Sequence, residues 1–401
     1  MTHVVVIGAG QAGSSLTAKL RNLGFDGDIT LIGEEPVPPY QRPPLSKAYL
    51  LGEMEEERLY LRPEAFYDEQ NITLRLGAAV DSIEADAKTV TLGGDQIAYD
   101  HLVFTTGSTP RALPAKIGGT LDGVHVVRTL ADVDAMAPEF GDGRRALIVG
   151  GGYIGLEAAA VAAKLGVKAT VVEMADRILQ RVAAEQTSDF FRDLHTVHGV
   201  EIREGVGLDR LTGEGRVTGA RFTDGSEIDV DFVIVGVGIT PNDQLAASAG
   251  VALDNGIKTD AQGQTSIAGI WAAGDCASFP YRGAQIRMES VGNAIDQAEL
   301  VAENIMGAGK DYDPKPWFWS DQFDIKLQIA GLNSGYDMVV TREDGDATSF
   351  WYYKGRELLA VDAMNDPRNY MIGKRLIDAG KHPAPEVIAD PGTDMKALLK
   401  A

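Results

Sequence analysis

One glycine pattern occurs twice in this chain, as Gly8-Ala9-Gly10-Gln11-Ala12-Gly13 and again as Gly150-Gly151-Gly152-Tyr153-Ile154-Gly155. Each copy obeys G-x-G-x-x-G. An apolar run that predicts a buried strand precedes each copy, at residues 3–7 and 146–149, and an alanine- and leucine-rich stretch that predicts a helix follows. A second apolar run then ends in acid, at Glu34 and at Glu173, near the spacing of about 20 residues at which a carboxylate meets a ribose hydroxyl. The glycines let the backbone approach a pyrophosphate, which rests on the amino end of the helix. A lone glycine turn is weak evidence. Two of them, each in full strand–turn–helix–strand–acid context, predict seats for two dinucleotides, and two dinucleotides in one chain point to electron transfer between them.

At 401 residues the chain has room for roughly two to four domains, each with its own core. Its 44% apolar and 24% charged residues are ordinary for a globular protein, and no apolar run approaches the ~20 residues of a membrane span. The first predicted strand starts so near the amino terminus that no signal peptide is expected. Cys276 is the single cysteine, so no disulfide can form within the chain and a reducing cytoplasm is the expected compartment. The net charge of −21 argues against nucleic acid or an anionic membrane as the main partner. No His/Cys/Asp cluster has metal-ligand spacing, so no metal site is expected.

Along the chain, residues 35–47 are too rich in proline for a helix or central strand and predict a shaped loop at the carboxyl edge of the first sheet. Residues 71–100 predict small antiparallel strands with a turn at Gly93-Gly94, and residues 101–105 a buried strand. The glycine unit then repeats, and the apolar run 232–235 closes it at Gly236-Val237-Gly238. The run 269–273 meets Gly274-Asp275, a further diphosphate or ribitol signal. From Trp317 aromatics become dense, and residues 348–362 predict a hairpin turning at Lys354-Gly355. The expected fold class is therefore α/β: tandem two-dinucleotide-binding, Rossmann-like domains, the second inserted in the first, plus a C-terminal α+β domain. The expected boundaries are 1–115 with 245–316, then 116–244, then 317–401.

Five stretches narrow the reading: YQRPPLSKAYL at 40–50, GGGYIGLE at 150–157, GDC at 274–276, RMESVGNAIDQA at 287–298 and PWFWSDQ at 316–322. With the two fingerprints they make the chain resemble the pyridine-nucleotide flavoproteins. Within that superfamily it is similar to the oxygenase-coupled ferredoxin reductases, the family of putidaredoxin reductase and the aromatic dioxygenase ferredoxin reductases. The likeness runs from residue 4 to about 380. It implies FAD in the outer domain, at Gly8, Gly10, Ala12, Gly13, Glu34, Arg42, Lys47, Val80, Arg128, Asp275 and Val291. It implies NADH in the inner one, at Gly150, Gly152, Ile154, Gly155, Glu157, Glu173, Arg181 and Gly238. The family places a lysine against the flavin ring, which implies that role for Lys47, and a glutamate near the nicotinamide, which implies Glu157. An ion pair between the two is expected, its cation favouring the anionic reduced flavin. Trp319 matches a tryptophan that lies beside the flavin from the third domain. The implied partner is a [2Fe–2S] ferredoxin that feeds an oxygenase, the iron–sulfur centre belonging to that partner. A monomer or weak homodimer is implied as well.

The absent residues separate relatives. Thiol-dependent members of this superfamily need redox cysteines near the first helix or shortly after the first unit, where this chain reads Pro43-Pro44-Leu45-Ser46-Lys47. Electrons are then expected to pass directly from flavin to an acceptor. A carboxylate at Glu173 accepts both ribose hydroxyls and repels a 2′-phosphate, which favours NADH over NADPH, although Arg177 stands close enough in sequence to serve a phosphate. The rival readings are an NADH oxidase, a quinone or monodehydroascorbate-type reductase, and an NADH-responsive binding flavoprotein like apoptosis-inducing factor.

Overall fold

The computed structural model describes residues 1–345 and 347–400, which gather into two compact units. The first is Met1–Arg42, Glu55–Thr109 and Ile239–Pro314; the second is Pro43–Met54, Pro110–Gly238 and Lys315–Ala401. The chain thus leaves the first unit after the opening dinucleotide motif and returns to it about 130 residues later, which is the insertion its repeat predicts.

In the first unit, five parallel strands stand in the order Ile270–Ala272, His101–Phe104, His3–Ile7, Asp28–Gly33 and Ile72–Leu76. The central strand is a near-continuous β-branched run because it is buried on both faces, with Val4, Val5 and Val6 fully inaccessible. On one face the helices Gln11–Asn22 and Val291–Ile305 pack together through Leu16, Leu20, Ala298, Val301 and Ala302. The three short strands Ser82–Glu84, Thr89–Leu92 and Asp95–Ala98 form an antiparallel meander. Residues 72–76, grouped with that meander in the sequence reading, instead pair in parallel with Asp28–Gly33. As an edge strand, Ile72–Leu76 has one face half wet, and its alternating pattern is that of an antiparallel strand.

The second unit repeats the plan. Parallel strands run in the order Glu201–Glu204, Lys168–Glu173, Arg145–Val149, Phe232–Val235 and Val124–His125. The C-terminal residues share this unit as an antiparallel sheet ordered Trp317–Gln322, Ile325–Gly331, Glu357–Met364, Ala347–Lys354 and Met338–Asp344. Lys354 pairs with Glu357 across the tight turn at Gly355. A common core joins Leu156 and Phe191 of the helices Tyr153–Lys164 and Glu185–Val197 to Leu327, Phe350, Tyr352 and Met364 of this sheet. Among the described residues no helix is long and apolar enough to cross a membrane.

Candidate dinucleotide sites and a buried ion pair

The two glycine turns have the same internal geometry. Gly8 and Gly150 take φ of +116° and +108°, and a Cβ on either would lie 2.1 or 2.3 Å from a backbone carbonyl, that of Thr105 or Gly236. Gly13 and Gly155 each press on the carbonyl of the first glycine of their own turn, where a Cβ would stand 2.2 Å away. The middle glycines differ in kind: a Cβ on Gly10 or Gly152 would meet nothing within 4 Å. Each middle glycine is also the N-cap of its helix and supplies no side-chain cap, so the first N–H groups point into that open space. An open, uncapped helix amino end of this kind suits the charge of a dinucleotide's pyrophosphate.

In the first unit, Glu34 follows the strand Asp28–Gly33 as an exposed carboxylate. Gly274 packs on this same turn, since its Cβ position lies 3.1 Å from the Cβ of Ala12 and 3.7 Å from that of Ala294. The Asp275 carboxylate accepts from the Ser108 hydroxyl at 3.0 Å. Val291 opens its helix behind Ser290, whose hydroxyl caps the Asn293 N–H. Gly8, Gly10, Ala12, Gly13, Asp275 and Val291 thus belong to one neighbourhood. Val80 is half-buried against the sheet, two residues beyond Ala78, whose N–H donates to the Gly33 carbonyl. Arg42 donates to Glu35 at 2.6 Å, lies 5.0 Å over the Tyr40 ring, and shares Glu35 with the Tyr40 hydroxyl.

In the second unit, the Glu173 carboxylate accepts from two backbone N–H groups, Gly151 and Ala175, each at 2.8 Å. It therefore holds the glycine turn from behind. Arg177 is committed elsewhere: it donates to the carbonyls of Ala183 and Ala184 and to Ser188, tying down the start of the helix Glu185–Val197. Arg181 is exposed, and its guanidinium approaches to 3.8 Å of a Cβ built on Gly238. Ile154, next to the open middle glycine, presents 47% of its surface to solvent. Arg128 precedes the helix Leu130–Met136, where its N–H donates to Asp132 within a capping box.

Lys47 and Glu157 form an ion pair of 2.9 Å in this second unit, their side chains only 19% and 6% exposed. The proline-rich segment turns as a short 3-10 helix, Pro43–Ser46, against the helix Tyr153–Lys164 and delivers the lysine there. Buried pairs contribute little net stability because desolvation offsets the attraction. Both Glu157 oxygens are occupied further, Oε2 by the Ser46 hydroxyl at 3.0 Å and Oε1 by the Ser320 hydroxyl at 2.7 Å. Neither serine was singled out in the sequence. Ser320 stands one residue from Trp319 but on the other face of the strand Trp317–Gln322. Trp319 is half-buried and stacks on Trp317 at 5.4 Å, while Phe318, Ser320 and Gln322 point to the helices. The strand reads aromatic at Trp317–Trp319 and polar throughout Ser320-Asp321-Gln322, so its sequence carries no periodic signal that separates the inward serine from its neighbours.

Cys276 is fully buried, with Phe104 and Ala273 carbonyls about its sulfur, and burial pushes its thiol up. No cluster of three or more metal-ligating side chains occurs among the described residues.

Residues 2–298 match the model of the pyridine nucleotide-disulphide oxidoreductase family, and residues 317–399 match that of the reductase C-terminal domain. The chain belongs to this oxidoreductase family. Against a ferredoxin–NAD(P)(+) reductase from Sphingomonas sp it is 43% identical, the match covering 100% of this chain and 97% of that one. Against rhodocoxin reductase from Rhodococcus erythropolis it is 41% identical over 99% of this chain and 94% of the other. In solved structures, the reductase of a covalent putidaredoxin reductase–putidaredoxin complex superposes with a TM-score of 0.96 at 38% identity, covering 100% and 98% of the two chains. The family's name records a disulphide chemistry that a sequence with one cysteine does not carry within itself.

Proposed function

We propose that this oxidoreductase takes electrons from NADH through FAD and gives them one at a time to a [2Fe–2S] ferredoxin serving an oxygenase. The observation that carries the reading is the pair of equivalent glycine cradles in a chain whose only thiol is buried. Two dinucleotides have seats, and no sulfur relay stands ready between them and an acceptor. Relatives that match over nearly their whole length are named as ferredoxin and rhodocoxin reductases, which supports the choice of acceptor.

FAD belongs to residues 1–115 and 245–316, where Glu34, Arg42, Val80, Asp275 and Val291 would hold it, together with Arg128. NADH belongs to residues 116–244, held by the second turn, Glu173 and Arg181, with 317–401 as the interface domain. Bound flavin supplies the redox chemistry, since it accepts two electrons together and releases them singly. The chain supplies position and charge: Lys47, fixed by Glu157, offers a cation for the reduced cofactor, and Trp319 borders the route of the electrons. The cytoplasm is the compartment and a monomer or weak homodimer the assembly that fit this role.

The test is an anaerobic NADH titration of the purified protein, followed by a [2Fe–2S] ferredoxin from the same organism. Stoichiometric bleaching of a flavin spectrum and catalytic reduction of the ferredoxin are expected. Reoxidation by oxygen or quinone alone would replace this reading with an oxidase or quinone reductase.

A further inference from the structure

We propose that Ser320 and Gln322, anchored by His195, are positioning residues that hold the Glu157 carboxylate, and with it the Lys47 ammonium, for the reduction of FAD by NADH. The proposal rests on the functional reading above. Three contacts join the groups in series: His195 Nε2 to Gln322 Oε1 at 2.8 Å, Gln322 Nε2 to Ser320 Oγ at 3.1 Å, and Ser320 Oγ to Glu157 Oε1 at 2.7 Å. All four side chains are buried.

Their chemistry gives the chain a direction. A carboxylate only accepts, so Ser320 must spend its single hydrogen on Glu157. The serine oxygen then accepts from the amide NH2 of Gln322, which turns the amide carbonyl to His195, whose Nε2 must donate. His195 Nδ1 is left as a bare lone pair, and that atom is indeed buried without a partner. Burial pushes this imidazole down to about 4, so the ring is neutral at ordinary pH and has one hydrogen to place. Reversing the amide would draw the serine hydrogen away from Glu157 and set two oxygen lone pairs against each other at 2.7 Å. With Oε1 held by Ser320 and Oε2 by Ser46 and Lys47, the carboxylate has one orientation, and it is the charged partner of the ammonium, which also donates to the Pro43 carbonyl at 3.5 Å. A fixed charge is what electrostatic assistance requires, because a mobile one must be reorganised during the reaction.

Stopped-flow reduction by NADH of the FAD-loaded wild type, Ser320→Ala, Ser320→Thr and Lys47→Met tests this. Ser320→Ala should reduce about tenfold more slowly, the effect of one charge-assisted hydrogen bond, at unchanged NADH Kd, and Ser320→Thr should restore most of the rate. A wild-type rate in Ser320→Ala beside a slow Lys47→Met overturns the positioning role and leaves the functional reading intact. A wild-type rate in Lys47→Met also overturns the proposal, since the charge being held then does nothing, whereas a wild-type flavin that NADH does not reduce overturns the functional reading itself. Independently of turnover and of any serine variant, the 15N spectrum of the wild-type histidines should show His195, identified by its loss in His195→Gln, as the Nε2–H tautomer. An Nδ1–H tautomer reverses the chain and refutes it.

Discussion

Two buried groups in the second unit oppose each other in acid, and replacing one should expose the other. His195 sits on the helix Glu185–Val197, its ordinary value of 6.5 pushed down to about 4 by burial. Asp362, on the strand Glu357–Met364, accepts from Thr187 and Tyr352 and has no ion pair among the described residues; burial pushes its carboxyl from 3.8 up to about 6. For His195 the unfolded chain binds a proton below 6.5 that the folded ring refuses until about 4, so native stability falls with pH across that window. A difference of about 2.5 pH units at ~1.4 kcal/mol each makes the loss about 3 kcal/mol. For Asp362 the folded carboxyl takes its proton first as pH falls from about 6 to 3.8, and native stability rises, again by about 3 kcal/mol. The wild type should therefore keep a nearly level contribution from this pair between pH 4 and 6. Asp362→Asn removes the gain and leaves the loss, so its urea midpoint should fall steeply from pH 6.5 to 4 relative to wild type. His195→Gln should do the reverse and gain toward acid. Tryptophan fluorescence can follow unfolding, since Trp351 is buried in the same sheet. Parallel midpoint profiles for Asp362→Asn and wild type between pH 4.5 and 6.5 would refute the argument.

Other consequences are separable. Gly10→Ala and Gly152→Ala meet no neighbour within 4 Å and should keep the Tm of the cofactor-free protein while losing their dinucleotide, whereas Gly13→Ala should lower the cofactor-free Tm itself; equal losses in that comparison would remove the distinction. Glu173→Ala should weaken the preference for NADH over NADPH, read as the ratio of kcat/KM values. It should also cost about 1–3 kcal/mol, because the Gly151 and Ala175 N–H groups lose their acceptor. Arg177→Ala should disturb the turn at residues 183–188 without altering that ratio, which the same assay and a melting curve check together.

The parallel sheets were legible because burial on both faces writes itself as β-branched runs, and the turns because close approach to Thr105 and Gly236 admits only glycine. The strand Ile72–Leu76 was misgrouped because an edge strand wets one face and mimics a meander. The serine partners of Glu157 were beyond reach for another reason. Ser46 lies 111 residues before it and Ser320 163 after it, and which polar side chains meet a buried carboxylate is decided by tertiary packing. The polar run Ser320-Asp321-Gln322 that ends the strand Trp317–Gln322 does not tell which of the three turns inward. Glu35 is illegible for a related reason: next to Glu34, nothing local marks it as the acid that binds Arg42 and Tyr40.

The glycine turns place different demands on their three positions, and this bears on how such a chain can drift. The first and third glycines answer to the protein's own backbone, which leaves no room for a Cβ at Gly8, Gly13, Gly150 or Gly155. The middle one meets no protein atom, and on the proposed function it answers to the nucleotide alone. A descendant that ceased to bind one cofactor would be free to change residue 10 or residue 152 at once, while the outer glycines stayed as a fossil of the fold. Within a single lineage, the middle position of each turn is thus a ledger of which nucleotide is still in use.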